Sequence, residues 1–112
     1  MQNKIFGHLG EKLACKELKK KKFKILQTNY TNKLGEIDII AKEKDFLVFV
    51  EVKTRTTEKF GRPSLAVGSH KQNKIRQVAS VYLKQNELTE ANCRFDVIEI
   101  LDNQINHIEN AF

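Results

Sequence analysis

Two strand-like stretches joined by a short turn dominate the pattern of apolar and polar positions, from Gly35 to Arg55, GEIDIIAKEKDFLVFVEVKTR. Between Glu36 and Lys42, Glu36, Asp38 and Ile40 share one strand face, and Ile37, Ile39 and Ala41 share the other. Phe46 to Thr54 is apolar on both faces for most of its length, as in a central strand covered from both sides. Glu51 and Lys53 interrupt it, and side chains two residues apart leave one face about 7 Å from each other. With Lys44 and Asp45 as a two-residue turn, positions whose numbers sum to 89 oppose each other, Asp38 against Glu51 and Glu36 against Lys53. A three-residue turn would put Asp38 and Glu51 on opposite faces, and no Asn-Gly or Asp-Gly pair decides between them.

Residues 3–22 carry helical spacing, with Ile5, Phe6, Leu9 and Leu13 on an apolar face and Gly7, Gly10, Ala14 and Leu18 along its edge. The small residues allow close approach to a sheet, and Glu11 borders the buried face. Phe23 to Thr31 alternates as a first strand, and residues 32–35 turn the chain into the next, giving a three-stranded meander. TTEKFGRPSLAVGSH, after Arg55, holds two of the five glycines and the only proline and reads as a loop. Ser69 with Gln72 forms a capping box that opens a helix running to about Asn86, with Ile75, Val78, Ala79 and Tyr82 on its packed face. Arg94 to Leu101 and Gln104 to Glu109 are the last strands. Strand, helix and strand in succession imply a crossover, so the Arg94 strand runs parallel to the Phe46 strand. The expected fold class is α/β: one domain over residues 1–112 in three layers.

Composition narrows the partners. A formal net charge of +6, with 30% charged residues, favours nucleic acid or an acidic membrane surface over acidic metabolites. Cys15 and Cys93 have neither metal-ligand nor redox spacing and read as reduced thiols, which favours the cytoplasm. No signal-type apolar core and no membrane-length apolar run is found, so no membrane partner is expected. His8, His70 and His107 lack zinc spacing, Asp96 reads as paired with a nearby Arg or Lys, and no nucleophilic Ser or Cys site or phosphate-binding glycine loop is present.

Two carboxylates held close in a partly dry site either raise a pKa or bind a cation, and hard ions such as Mg2+ prefer carboxylate and water oxygens. A neighbouring lysine suits phosphodiester hydrolysis, where its ammonium orients water or steadies the extra charge on phosphorus. An ordinary ion pair at a strand end is the alternative for Glu51 and Lys53. Around this centre lie basic groups able to contact phosphate: Lys12 and Lys16 with Lys19 on the first helix, Arg55, Lys59 and Arg62 with Phe60 in and before the loop, and Lys71, Lys74 and Arg76 at the start of the second helix. Cations at a helix start oppose its dipole unless an anion lies nearby. A solvated surface is the competing reading for each group.

Glu11, GEID at Gly35 to Asp38, FVEVKTR at Phe49 to Arg55, Phe60 with Gly61, Lys71, and RFDV at Arg94 to Val97 together resemble the YraN-like family of uncharacterised bacterial proteins, over nearly the whole chain. That family resembles archaeal Holliday-junction resolvases and the wider PD-(D/E)xK nucleases. The resemblance implies a restriction-endonuclease-like fold, with Asp38 and Glu51 as metal ligands, Glu11 completing the site and Lys53 positioning or activating water. Ile37 stands where the nominal motif has proline. Also implied are Mg2+ or Mn2+ as cofactor, DNA of branched or non-duplex form as substrate, and a homodimer, for which the sequence leaves no apolar stripe to name as interface. A nucleic-acid-binding module without useful turnover is the alternative function.

Overall fold

The computed structural model describes residues 2–55, 67–102 and 104–112, with side chains from Leu9 onward. Helix α1 (Gln2–Lys20) precedes strands β1 (Lys24–Asn32), β2 (Gly35–Glu43) and β3 (Phe46–Arg55); helix α2 (Ser69–Gln85) leads to β4 (Asn92–Leu101) and β5 (Gln104–Ile108). Among the described residues these strands form one sheet in the order β1-β2-β3-β4-β5. The meander is antiparallel, β4 runs parallel to β3, and β5 returns antiparallel. The expected α/β architecture is therefore present, and its element order is consistent with a restriction-endonuclease-like fold. No helix among the described residues is long and apolar enough to cross a membrane.

The sheet is the middle layer because both of its faces are apolar. Ile39, Ala41, Val48, Val50, Ile98 and Ile100 meet Ala14 and Leu18 of α1 on one side. Ile37, Ile40, Leu47 and Phe49 meet Ile75, Val78, Ala79 and Tyr82 of α2 on the other, the helix face expected from the sequence. For α1 the expectation is corrected. Its packed line is Gly10, Ala14 and Leu18, whereas Leu9 and Leu13 are 55% and 37% exposed. A Cβ on Gly10 would collide with the Thr54 hydroxyl, so the backbone of α1 lies closer to β3 than any larger residue there allows. Close approach outweighs side-chain size, and an exposed apolar pair remains on α1 after all.

The start of α2 also differs from expectation. Gly68 is its N-cap, no side chain caps it, and Ser69 is already helical. Gln72 donates from Nε2 to the Val67 carbonyl at 2.9 Å, so it ties the helix to the preceding segment without closing a capping box. Far from this end, Asp96 is fully buried. Arg94 donates to both its oxygens at 2.9 and 3.0 Å, His107 Nε2 lies at 2.7 Å, and the Asn110 amide donates at 2.9 Å. This pins β5 to β4 and bears out the expected Arg pairing. Burial works against the Asp96 charge, but these donors hold its pKa below the usual carboxylate range. Cys15 and Cys93 are free and partly buried.

Candidate metal site and its basic surround

Where β2 and β3 part, a carboxylate takes the place of a backbone partner. Their pairing runs from Glu43 opposite Phe46 to Ile39 opposite Val50, every pair summing to 89, so the two-residue turn is the one adopted. At the next position Asp38 Oδ2 accepts a hydrogen bond from the Val52 amide at 2.8 Å. The opposite edge of β2 is irregular at the same residue. Thr28 pairs with Ile39 and Tyr30 with Ile37, while Asn29, facing Asp38 between them, has φ 54. Asparagine tolerates this left-handed region better than most residues. The distortion breaks the strict alternation expected for β2: Ile37 and Ile40 pack on the α2 side and Ile39 on the α1 side.

Asp38 is thereby held partly buried beside Glu51. Burial and then the Glu51 charge push its pKa up to about 7, against the pull of the Val52 hydrogen bond; Glu11 and Glu36 add smaller repulsions. Glu51 is 8% exposed. Its Oε2 receives Lys71 Nζ at 2.7 Å and Lys53 Nζ at 3.7 Å. Burial and the Lys71 charge lower the Lys53 pKa although Glu51 pulls the other way. Lys71 is raised: burial opposes its charge, but the hydrogen bond to Glu51 and that carboxylate's charge prevail. Of the two lysines on Glu51, Lys71 therefore holds its proton the more firmly and Lys53 the less, burial being the first cause for Lys53.

The other expected residues separate into distinct surfaces. Glu36, Glu51, His70, Lys71 and Lys74 line a cleft of about 400 Å3 beside α2. Glu11, Lys12, Lys16 and Lys19 line a groove of about 330 Å3 between α1 and β1, with Asn29 in its wall. Glu11 therefore reaches Asp38 through its charge from the α1 side. Arg55 ends β3 partly buried, its Nε without a partner among the described residues. Arg76 turns elsewhere, stacking over Phe95 and Phe112 at 5.7 and 5.3 Å. Lys59, Phe60 and Arg62 lie outside the described residues.

Among the described residues no three His, Cys, Asp or Glu side chains gather as a ready-made metal cage. The pair Asp38 and Glu51 nevertheless fits a hard divalent ion. Mg2+ commonly takes one or two carboxylates and keeps several waters, and Asp38, pushed up to about 7 first by burial and then by the Glu51 charge, is a carboxylate whose charge lacks compensation. Sequence reasoning missed Glu99. It stands beside Lys53 in the β3–β4 pairing, is buried, and has an oxygen, Oε2, without a partner among the described residues. Its signal was available: Glu99 interrupts the apolar run of β4 as Glu51 interrupts that of β3.

Residues 10–100 match the Uncharacterised protein family UPF0102. A UPF0102 protein of Clostridioides difficile (strain 630) is 52% identical over 114 residues, covering 100% of both chains. Another, from Caldanaerobacter subterraneus subsp. tengcongensis, is 47% identical over 119 residues, covering 100% of this chain and 98% of its own. A third, from Alkaliphilus oremlandii, is 52% identical over 116 residues, covering 98% and 99%.

Proposed function

From the premise that this chain belongs to the uncharacterised protein family UPF0102, we propose that it is a Mg2+- or Mn2+-dependent endonuclease hydrolysing phosphodiesters in DNA of branched or otherwise non-duplex form. The observation that carries this reading is the convergence at one strand fork. Asp38 is wedged there by the Val52 amide, with Glu51 beside it and Lys53 3.7 Å from Glu51. Asp38 and Glu51 hold the ion, which supplies Lewis-acid polarisation of a phosphate oxygen when bound. Lys53 orients the attacking water, and with its pKa lowered by burial and by the Lys71 charge it holds its own proton less firmly than an ordinary lysine. Lys71 and Lys74 meet the phosphate backbone from the cleft, and Glu11 adds negative potential from the α1 side. One observation favours a second reading, a nucleic-acid-binding module without turnover: Glu51 is already neutralised by Lys71.

Cleavage of labelled four-way-junction, flap, single-stranded and duplex DNA in Mg2+, Mn2+ or EDTA separates the two. The nuclease reading expects product from wild type in metal alone, a preference for the junction or flap, and loss of product in folded Lys53→Ala and Glu51→Ala proteins. Loss of one positioned proton-transfer group costs about 100-fold or more. Salt-sensitive binding with no product in any metal would leave the binding module.

A further inference from the structure

We infer that Lys71 occupies the place on Glu51 that the divalent ion takes, so that metal entry and departure of Lys71 are a single exchange. The inference rests on the metal reading above and adds a residue that sets when the site can load. Three observations carry it. Lys71 Nζ contacts Glu51 Oε2 at 2.7 Å, and Lys53 approaches the same oxygen at 3.7 Å. An oxygen in contact with the Lys71 ammonium, with a second ammonium close by, has no room for a divalent ion as well, and an arriving dication repels both. The two lysines differ in their freedom to leave: the Lys53 side chain is 17% exposed and that of Lys71 47%.

Lys71 also has somewhere to go and a reason to be mobile. It borders the open cleft of about 400 Å3 that Lys74 and Glu36 share. It projects from the first turn of α2, which has no acidic residue and no side-chain cap, so the helix dipole disfavours a cation there. Glu51 is the anion that offsets this in the resting protein. Once the metal claims Glu51, an anion in the cleft becomes the best partner for Lys71. Metal and a phosphate-bearing ligand then each favour the other's binding, by the same factor in both directions.

The test measures Mn2+ binding to the full chain without DNA, by calorimetry and by loss of the free Mn2+ electron-spin-resonance signal. Wild type is compared with Lys71→Ala, Lys71→Met, Lys74→Ala and Glu51→Gln, and thermal unfolding in EDTA reports folding. Lys74 removes the same charge from the same cleft without touching Glu51. The exchange expects Lys71→Ala and Lys71→Met to bind Mn2+ about ten-fold tighter than wild type. Lys74→Ala should stay within about two-fold, as for an exposed charge acting through solvent. Glu51→Gln should lose binding. Equal tightening in the Lys71 and Lys74 variants would reduce Lys71 to background charge and overturn the exchange. Unchanged or weaker binding in both Lys71 variants, with binding still lost in Glu51→Gln, would overturn it while leaving the metal reading standing. No Mn2+ binding by wild type or either Lys71 variant would remove the metal reading, and the exchange with it.

Discussion

At Asp38 one side chain meets two opposed demands. The Val52 amide needs an acceptor, which either oxygen of a carboxyl or an amide can supply; the charge serves no such need and sits in a dry place beside Glu51. The folded pKa is about 7, while an unfolded aspartate titrates near 4, so between these values the folded chain holds a proton that the unfolded chain has lost. The stability this contributes is full below about pH 4 and is lost as pH rises through about 7. Asp38→Asn keeps an acceptor for Val52 and removes the charge. Its melting temperature should exceed that of wild type by about 5 °C near pH 9 and differ little near pH 5, in EDTA. A variant that melts lower at both pH values would mean that the charge stabilises the fold. Asn29, across from Asp38, makes a complementary case through its φ of 54. Asn29→Gly should be neutral within about 0.5 kcal/mol, and Asn29→Val should cost about 1–2 kcal/mol in denaturant unfolding, because a β-branched side chain clashes in the left-handed region.

Among the elements, α1 is placed by its smallest residue. Gly10→Ala gains about 1 kcal/mol of helix propensity but drives a methyl into Thr54, a clash of the kind that costs about 1–3 kcal/mol. The net expectation is destabilisation by about 1 kcal/mol in urea unfolding, with weaker Mn2+ binding because Glu11 is carried away from Asp38. A more stable protein would show that Thr54 yields by changing rotamer. The close approach was legible in the small residues Gly10 and Ala14, but its partner Thr54 was not, nor that Leu9 and Leu13 would be left exposed. What could be read was periodicity: the strand pattern of β2, the largely apolar run of β3 and the helical spacing of α2 depend on neighbours in the chain, and each element formed, although Ile37 and Ile39 end on opposite faces where strict alternation puts them together. The hairpin register stayed open in the sequence for want of a decisive turn signal, and it is the structure that pairs Glu43 with Phe46 across a two-residue turn. Contacts between elements remote in sequence were beyond reach. Lys71 could be suspected of meeting an anion from its adverse place at a helix start, but that the anion is Glu51 follows only once α2 lies over β3. The Ser69 capping signal misled because Gly68 takes the cap position one residue earlier.

At the scale of the molecule, whose net charge is +6, lysines among the described residues line hollows on both sides of the sheet. Lys12, Lys16 and Lys19 line the α1 groove, and Lys71 and Lys74 line the α2 cleft. Asp38 feels carboxylates from both sides, Glu11 from the groove and Glu51 from the cleft. On the proposed nuclease reading, a branched or opened nucleic acid at Asp38 would meet lysines of both the groove and the cleft, whereas a straight duplex lying on one surface would meet one group. Each phosphate neutralised contributes about 0.7 to 0.9 to the slope of log affinity against log salt, depending on strandedness. Removing Lys12 and Lys16 together should lower that slope for four-way-junction binding by about 1.5, and removing Lys71 and Lys74 should lower it by a similar amount, measured in EDTA so that no cleavage intervenes. On straight duplex only one pair should matter. If the Lys12 and Lys16 double variant binds the junction with an unaltered slope, the α1 groove is a solvated surface and the substrate reaches Asp38 from the α2 cleft alone.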